Sequence, residues 1–574
     1  MANLQKLARR EFVIKVGSVA AVLATGSVLS GCGGGNDEDP PQFNFGVASG
    51  DPLTDRVILW THAKYPGVDN EVVLSYEVAN DAGFTRIVST GTARATTATG
   101  FTAKVDATGL SPGQSYFYRF RRGAHNSPVG QTRTLPASDV ASVKFAVLSC
   151  SNYPAGFFNV YADVAKNPDI QYAIHLGDYI YEYAADGYAS ALAASLGRSS
   201  VPEVELTTLD HYRLRHAQYK SDVDTKALHA AKPMIAVWDD HEVANDAYKG
   251  GAENHQENEG DWQARKAAAL QAYHEWMPIR TGSNRERIYR SFNFGNLVSL
   301  HMLDTRLIGR DKQVDILDLA GLKGGEARAA ALAQYTSPTR QLLGVDQLQW
   351  LQVQMAASSA TWQVLGQQVL MARIEAPASV LSVLNPANTS PEAIVAGQQA
   401  VNAYVTAKLT PAEFRDPTQQ ALMDETLNPK LGYNLDAWDG YLAAREGVLG
   451  TAYSLGKRLV TLAGDTHNAW HSDLTLKLGV PGLAGPGTKV GEEFATSSVS
   501  SPGFEGSLSA IPSAQLEQIF LSIVDDLNYL DASRRGYLVM TFSAEQAKGE
   551  WFFVDTITSR AYTTVKGHEA IYSG

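Results

Sequence analysis

Two cysteines in 574 residues, Cys32 and Cys150, are too few for a disulfide-stapled fold, in which cysteines are dense. The chain also lacks an apolar run of the ~20 residues that a membrane-spanning helix needs. No segment repeats at a solenoid or propeller period, and no low-complexity tract points to disorder. Clusters of lysine and arginine are missing too. With 60 acidic residues against 48 basic ones the net charge is -12, whereas phosphate backbones are bound by basic surfaces, so nucleic acid is not expected as a partner. What remains is a globular chain, 44% hydrophobic, long enough for more than one domain and a large core.

The first 32 residues carry a separate signal. Arg9-Arg10 precede the apolar stretch Val16 to Ser30, which is 15 residues long and so reads as the core of an export signal. The arginine pair resembles a twin-arginine signal. Leu29-Ser30-Gly31-Cys32 resembles a bacterial lipobox, with Cys32 as the lipidated first residue and the membrane as a partner through that anchor. A plain cleaved signal is the alternative. Residues 33–42 (GGGNDEDPPQ) form a polar tether. Losing residues 1–31 removes Lys6, Arg9, Arg10 and Lys15 but only one acid, Glu11, so the mature chain is more acidic still. A phosphate site in such a body must create its own positive field, and metal ions would do so. The expected location is periplasmic or on the cell surface. If Cys32 carries lipid, Cys150 has no disulfide partner and is either an inert buried thiol, or a ligand or nucleophile.

Two regions follow. Residues 43–136 read as short alternating strands, such as Arg56 to Thr61 and Val72 to Val78. Leu110-Ser111-Pro112 followed by Tyr116-Phe117-Tyr118 looks like the tyrosine corner of a fibronectin-like β-sandwich. Residues 137–574 read as an α/β domain in which near-continuous apolar strands alternate with helices, such as Asp261 to Met277 and Val345 to Ala356. The strands from Arg535 onward are expected to join the edge of its sheet.

Five apolar runs in this second region end in reactive side chains. Phe145 to Leu148 leads to Ser149-Cys150, and Tyr172 to Leu176 leads to Gly177-Asp178-Tyr179-Ile180-Tyr181. Met234 to Trp238 leads to Asp239-Asp240-His241-Glu242, Leu297 to Leu303 to Asp304-Thr305-Arg306, and Leu459 to Leu462 to Ala463-Gly464-Asp465-Thr466-His467. Ligands of α/β sheets bind beyond the carboxyl ends of strands, where loops converge. A thiolate, a phenolate, an imidazole and carboxylates suit transition metals and harder ions together. His175 sits inside an apolar run and reads as a core histidine.

This order of motifs resembles the calcineurin-like and purple-acid metallophosphoesterases, with three departures: Cys150, Asp240 and Asp465 stand where that pattern has Asp, Asn and His. With those departures the motifs SCSNYPAGFF, HLGDYIYEY, WDDHEVAND, LDTR, AWDGY and LAGDTHNAW are those of PhoD-type alkaline phosphatases. The resemblance implies a two-sheet β-sandwich core with flanking helices behind the fibronectin-like domain. It implies Fe(III) and Ca²⁺ as cofactors, with Cys150, Asp178, Tyr181 and His467 around iron and Asp178, Asp240 and Asp465 toward calcium. Asn245 and Asn468 are weaker candidates. The implied activity is hydrolysis of phosphate esters, with His241 stabilising the transition state or protonating the leaving oxygen, or else merely orienting Asp240. Arg306 would neutralise phosphoryl charge. A phosphodiesterase or phospholipase-D-like hydrolase is the rival on the same site, and an adhesin or binding lipoprotein with a dead site is the rival from another class. Oligomeric state is left open.

Overall fold

The computed structural model describes residues 42–65, 70–319, 325–381 and 390–574. The expected export signal, Cys32 and nearly all of the tether lie outside the described residues. No described helix is long and apolar enough to cross a membrane.

Two large sheets carry the catalytic half. The first has nine strands in the order Thr564–Tyr572, Ala547–Val554, Arg535–Phe542, Val143–Leu148, Tyr172–His175, Met234–Ala236, Val47–Gly50, Arg56–His62 and Thr102–Thr108. The second has seven: Arg290–Phe294, Val298–Met302, Trp362–Gly366, Arg458–Ala463, Lys489–Ala495, Ala469–Thr475 and Leu527–Asp531. Their inner faces meet through one core, in which Phe145, Val147, Leu538 and Trp551 of the first sheet pack with Phe294, Leu300, Val460 and Phe494 of the second. Phe145 meets Phe294 edge-on at 4.9 Å, and Phe494 stacks on Trp551 at 5.8 Å. The apolar residues run without interruption because these strands are covered on both faces.

The parallel strands sit at the centre of each sheet: Val143–Leu148, Tyr172–His175 and Met234–Ala236 in one, and Val298–Met302, Trp362–Gly366, Arg458–Ala463 and Lys489–Ala495 in the other. The C-terminal strands join the first sheet as expected, with Leu538 opposite Val147 in an antiparallel pair. Helices Trp262–Trp276 and Val345–Ala357 form where the sequence places them. The Asp261 carboxylate caps the former by accepting from Ala264 N at 2.9 Å.

The N-terminal strands pack as a sandwich, but one of its layers is not separate. A second layer, built on Glu71–Ala79, Ile87–Thr96 and Ser115–Arg122, closes over Val47, Val57, Leu59 and Ala107. The layer beneath it is the end of the nine-stranded sheet itself, joined where Gly50 pairs in parallel with Met234. Glycine is needed at this junction, since a Cβ at position 50 would lie 2.4 Å from Met234 O and 2.3 Å from Pro278 O. The tyrosine corner forms, with Ser111 N donating to Tyr116 Oη at 2.8 Å.

Candidate metal centre

The two sheets open their carboxyl ends at one edge, and backbone bonds stitch the loops there. Cys150 N donates to Gly177 O at 3.2 Å, Val499 N to Ser149 O at 2.9 Å, and Gly464 N to Gln368 O at 2.7 Å. Four side chains at this edge sit on left-handed backbone: Cys150 (φ 61°), Asp178 (φ 53°), Asp465 (φ 60°) and His467 (φ 66°). Non-glycine residues rarely adopt that region, and such strain concentrates at functional sites. Gly177 (φ 110°) supplies the close approach, because a Cβ there would lie 2.4 Å from Asp239 Cβ.

Three overlapping groups of donors result. Cys150, Asp178 and His467 offer ligand atoms within 4.8 Å of one another, as do Asp178, Asp240 and His241, and again Asp239, Asp240 and Asp465. Tyr181 curls back so that its hydroxyl donates to Asp178 Oδ2 at 3.0 Å, 3.2 Å from His467 Nε2 and 2.6 Å from Ser501 Oγ. All six sequence-derived metal residues therefore converge, with Asp178 shared between the first two groups and Asp240 between the last two. The donors fit cations. Asp178 Oδ1 and Asp239 Oδ2 are buried without a hydrogen-bond partner, and Asp240 Oδ1 has only the Arg306 guanidinium at 3.6 Å, an arrangement that is costly unless further positive charge meets them. Burial and the surrounding carboxylates push Asp178 well above the usual carboxylate range, and burial lifts Asp465 to about 7. Burial likewise raises the Cys150 thiol, helped by Asp178, and lowers His467 to about 3.

The positions of these donors are fixed from behind. The buried Glu242 carboxylate accepts from Asp178 N at 3.1 Å, Tyr179 N at 2.6 Å and Asp239 N at 2.7 Å, tying two strand ends together. Gln368, after a strand the sequence reading did not single out, donates to Trp238 O at 2.7 Å and Leu303 O at 2.9 Å. His241 Nδ1 lies 2.7 Å from Glu182 Oε2, and the ring rests 4.3 Å from that of Tyr181. Its neighbours Asp178, Glu182 and Asp240 outweigh burial and hold the imidazole well above its usual pKa. His175 is a core histidine, fully buried and 2.8 Å from Tyr161 Oη.

Arg306 follows its strand end and turns toward aspartates. It is fully buried, with its guanidinium set among carboxylates. Its guanidinium is saturated by aspartates: Nε bonds Asp239, Nη1 donates to Asp436 Oδ2 at 2.6 Å, and Nη2 donates to Asp465 Oδ1 at 2.6 Å. Arg310 also bonds Asp436, and against the cost of burial the two arginines hold that carboxyl down at about 2. The sequence marked the strand end but not the side to which the guanidinium turns. Asp436 follows no long apolar run and left no signal. Glu182 and Asp239 lie inside quoted motifs, yet their roles depend on partners distant in sequence. Asp439 of the AWDGY motif is structural, accepting from Ile374 N at 2.9 Å. Of the weaker candidates, Asn245 lines the cavity and donates to Glu253 Oε2 at 3.3 Å, whereas Asn468 is buried with both amide atoms unpartnered.

Above the donors lies a cavity of about 540 Å³, floored by Asp178, Asp240, His241, Asp465 and His467, with Tyr183, Tyr188, Tyr248 and Tyr433 among its mostly polar walls. It is large enough for a phosphoryl group and part of its alcohol. Two facing sheets that deliver this donor set to the floor of a cavity make a metal-dependent hydrolase of phosphate esters. The chain belongs to the PhoD-like phosphatase family: residues 145–551 match the model of that family, and residues 30–136 match the PhoD-like phosphatase N-terminal domain. It is 33% identical over 569 residues to alkaline phosphatase D of Bacillus subtilis (strain 168), covering 96% of this chain and 85% of that protein. A solved structure of PhoD matches with a TM-score of 0.72 at 32% identity, covering 94% of this chain and 92% of the other. Neither the dead-site adhesin nor the phospholipase-D-like reading is favoured by these matches.

Proposed function

We propose that the chain is an exported, lipid-anchored alkaline phosphatase that acts through one Fe(III) and calcium. Cys150, Asp178, Tyr181 and His467 would hold the iron. Asp178, Asp240 and Asp465, an oxygen-rich set, would hold calcium. The observation that carries this reading is the sharing of Asp178 between a group with Cys150 and His467 and a group with Asp240 and His241, which Asp240 in turn links to the carboxylates of Asp239 and Asp465. Bound there, the ions would neutralise the phosphoryl oxygens and lower the pKa of water.

The remaining roles belong to the chain. His241, gripped by Glu182, faces the cavity and is the group that gives a proton to the leaving oxygen. Glu242 keeps the Asp178 and Asp239 loops in register, and Arg306 offsets the aspartates on the side away from substrate. The arginine pair and Cys32 support export by the twin-arginine route and lipidation, and residue 136 divides the N-terminal sandwich from the catalytic part.

The test is elemental analysis and hydrolysis of p-nitrophenyl phosphate, with wild type compared with Cys150→Ala. Wild type is expected to be coloured by a phenolate-to-iron transition and to lose activity reversibly with EGTA. Cys150→Ala should lose iron and nearly all activity while remaining folded, since a buried cysteine acting only as a small hydrophobe costs about 1 kcal/mol. Near-normal iron and rate in the variant would sink the assignment.

A further inference from the structure

Four tyrosines line the cavity, and their hydroxyls differ in what they do. Tyr188 Oη donates to Pro502 O at 3.1 Å. Tyr433 Oη is sealed inside the protein without a partner. Tyr248 lies over its own turn, its hydroxyl 2.8 Å from where a Cβ on Gly251 would stand. Tyr183 is unlike all three. The residue is 7% exposed and lines the cavity, yet its hydroxyl makes no hydrogen bond among the described residues and is not one of the sealed, unpartnered atoms. What little of the residue remains open therefore includes a free O–H.

The ring that carries this hydroxyl is tightly held. It lies 5.3 Å from the ring of His241 and 5.8 Å from that of Tyr188. The fully buried Arg215 fixes its backbone, with Nη2 donating to Tyr183 O at 3.0 Å and Nη1 bonding the Tyr181 carbonyl. One guanidinium thus positions both the tyrosine that closes on Asp178 and the tyrosine that faces the cavity. A rigid donor without a protein partner, beside the histidine of the cavity floor, is what a site needs to bind an anion with little reorganisation. We propose that the Tyr183 hydroxyl donates a hydrogen bond to a non-bridging phosphoryl oxygen of the bound ester and keeps that bond to the phosphate product. The assignment rests on the phosphatase reading and adds to it a substrate-contact residue that is not a metal donor.

Tyr183→Phe tests this, because it removes the hydroxyl and keeps the ring. The full chain with its native metals is compared with wild type in kcat/KM for p-nitrophenyl phosphate, the inhibition constant of inorganic phosphate, metal content and Tm. Expected are unchanged metal content and Tm, kcat/KM lower by about tenfold, and inhibition by phosphate weaker by about tenfold, the usual range for losing one donor to a charged oxygen. Values of both within twofold of wild type would overturn the proposal. Lost metal or a lower Tm would overturn it too, by showing that the hydroxyl is structural. A wild-type protein that hydrolyses no phosphate ester would instead overturn the phosphatase reading.

Discussion

Arg306 neutralises a pocket that would otherwise hold only negative charge. Its own guanidinium out of contact with solvent, it meets Asp239, Asp436 and Asp465 directly and lies 3.6 Å from Asp240, of which Asp436 and Asp465 still open onto the cavity. Removing one member of a buried charge group leaves the rest uncompensated, at about 3–5 kcal/mol. Arg306→Met keeps much of the volume and should lower stability by about that amount. The loss should be larger in chelator-stripped protein than in metal-loaded protein, because bound cations take over part of the neutralisation. Chemical unfolding with and without EDTA reads the difference. Equal losses in both would show that Arg306 and the cations do not act on the same aspartates.

The strand-end turns determine where the donors stand. Gly177 fills the narrowest of them, between the Asp178 turn and Asp239. Gly177→Ala would push these two loops apart while leaving the sheets intact. A shift of about 1 Å at a reacting centre can cost about a hundredfold in rate, and a loss of that order is expected here, with a reduced metal content as its companion. Full activity in the alanine variant would mean that the turn tolerates a Cβ and that its geometry is not limiting. These turns were also the most legible part of the sequence, since an apolar run broken by Asp, Cys or His announces both a buried strand and a reactive end. The Trp362–Gly366 strand ends in Gln367-Gln368, whose amides carry no such chemical mark. Its function, bridging Trp238 O and Leu303 O, exists only once the sheets have come together. Tyr183 was hidden for a related reason: a tyrosine in an aromatic motif reads as core until its hydroxyl is found without a partner.

At the level of the whole molecule, the N-terminal sandwich and the catalytic sheet share strands. Val47–Gly50 pairs with Arg56–His62 on one side and meets Met234–Ala236 on the other. The buried Asp51 fastens the junction, accepting from Arg280 N at 2.8 Å and from Arg290 Nη2 at 2.6 Å. Local alternation in residues 43–136 revealed the strands. It could not reveal this pairing, which joins segments far apart in the chain and depends on backbone approach rather than on side-chain pattern. Asp51→Ala should cost about 3 kcal/mol by leaving Arg290 without its carboxylate partner, with only the Ile288 and Ala236 carbonyls to accept from it. The molecule should still melt in one calorimetric transition at a lower temperature, because the nine-stranded sheet runs through both halves. Two separated transitions would show that the lobes fold independently. The shared sheet also limits how such enzymes can be recombined. A chimera joined between residues 136 and 137 would bring together two strand edges not built for each other, so exchanging the first lobe should leave the catalytic sheet with a mismatched neighbour.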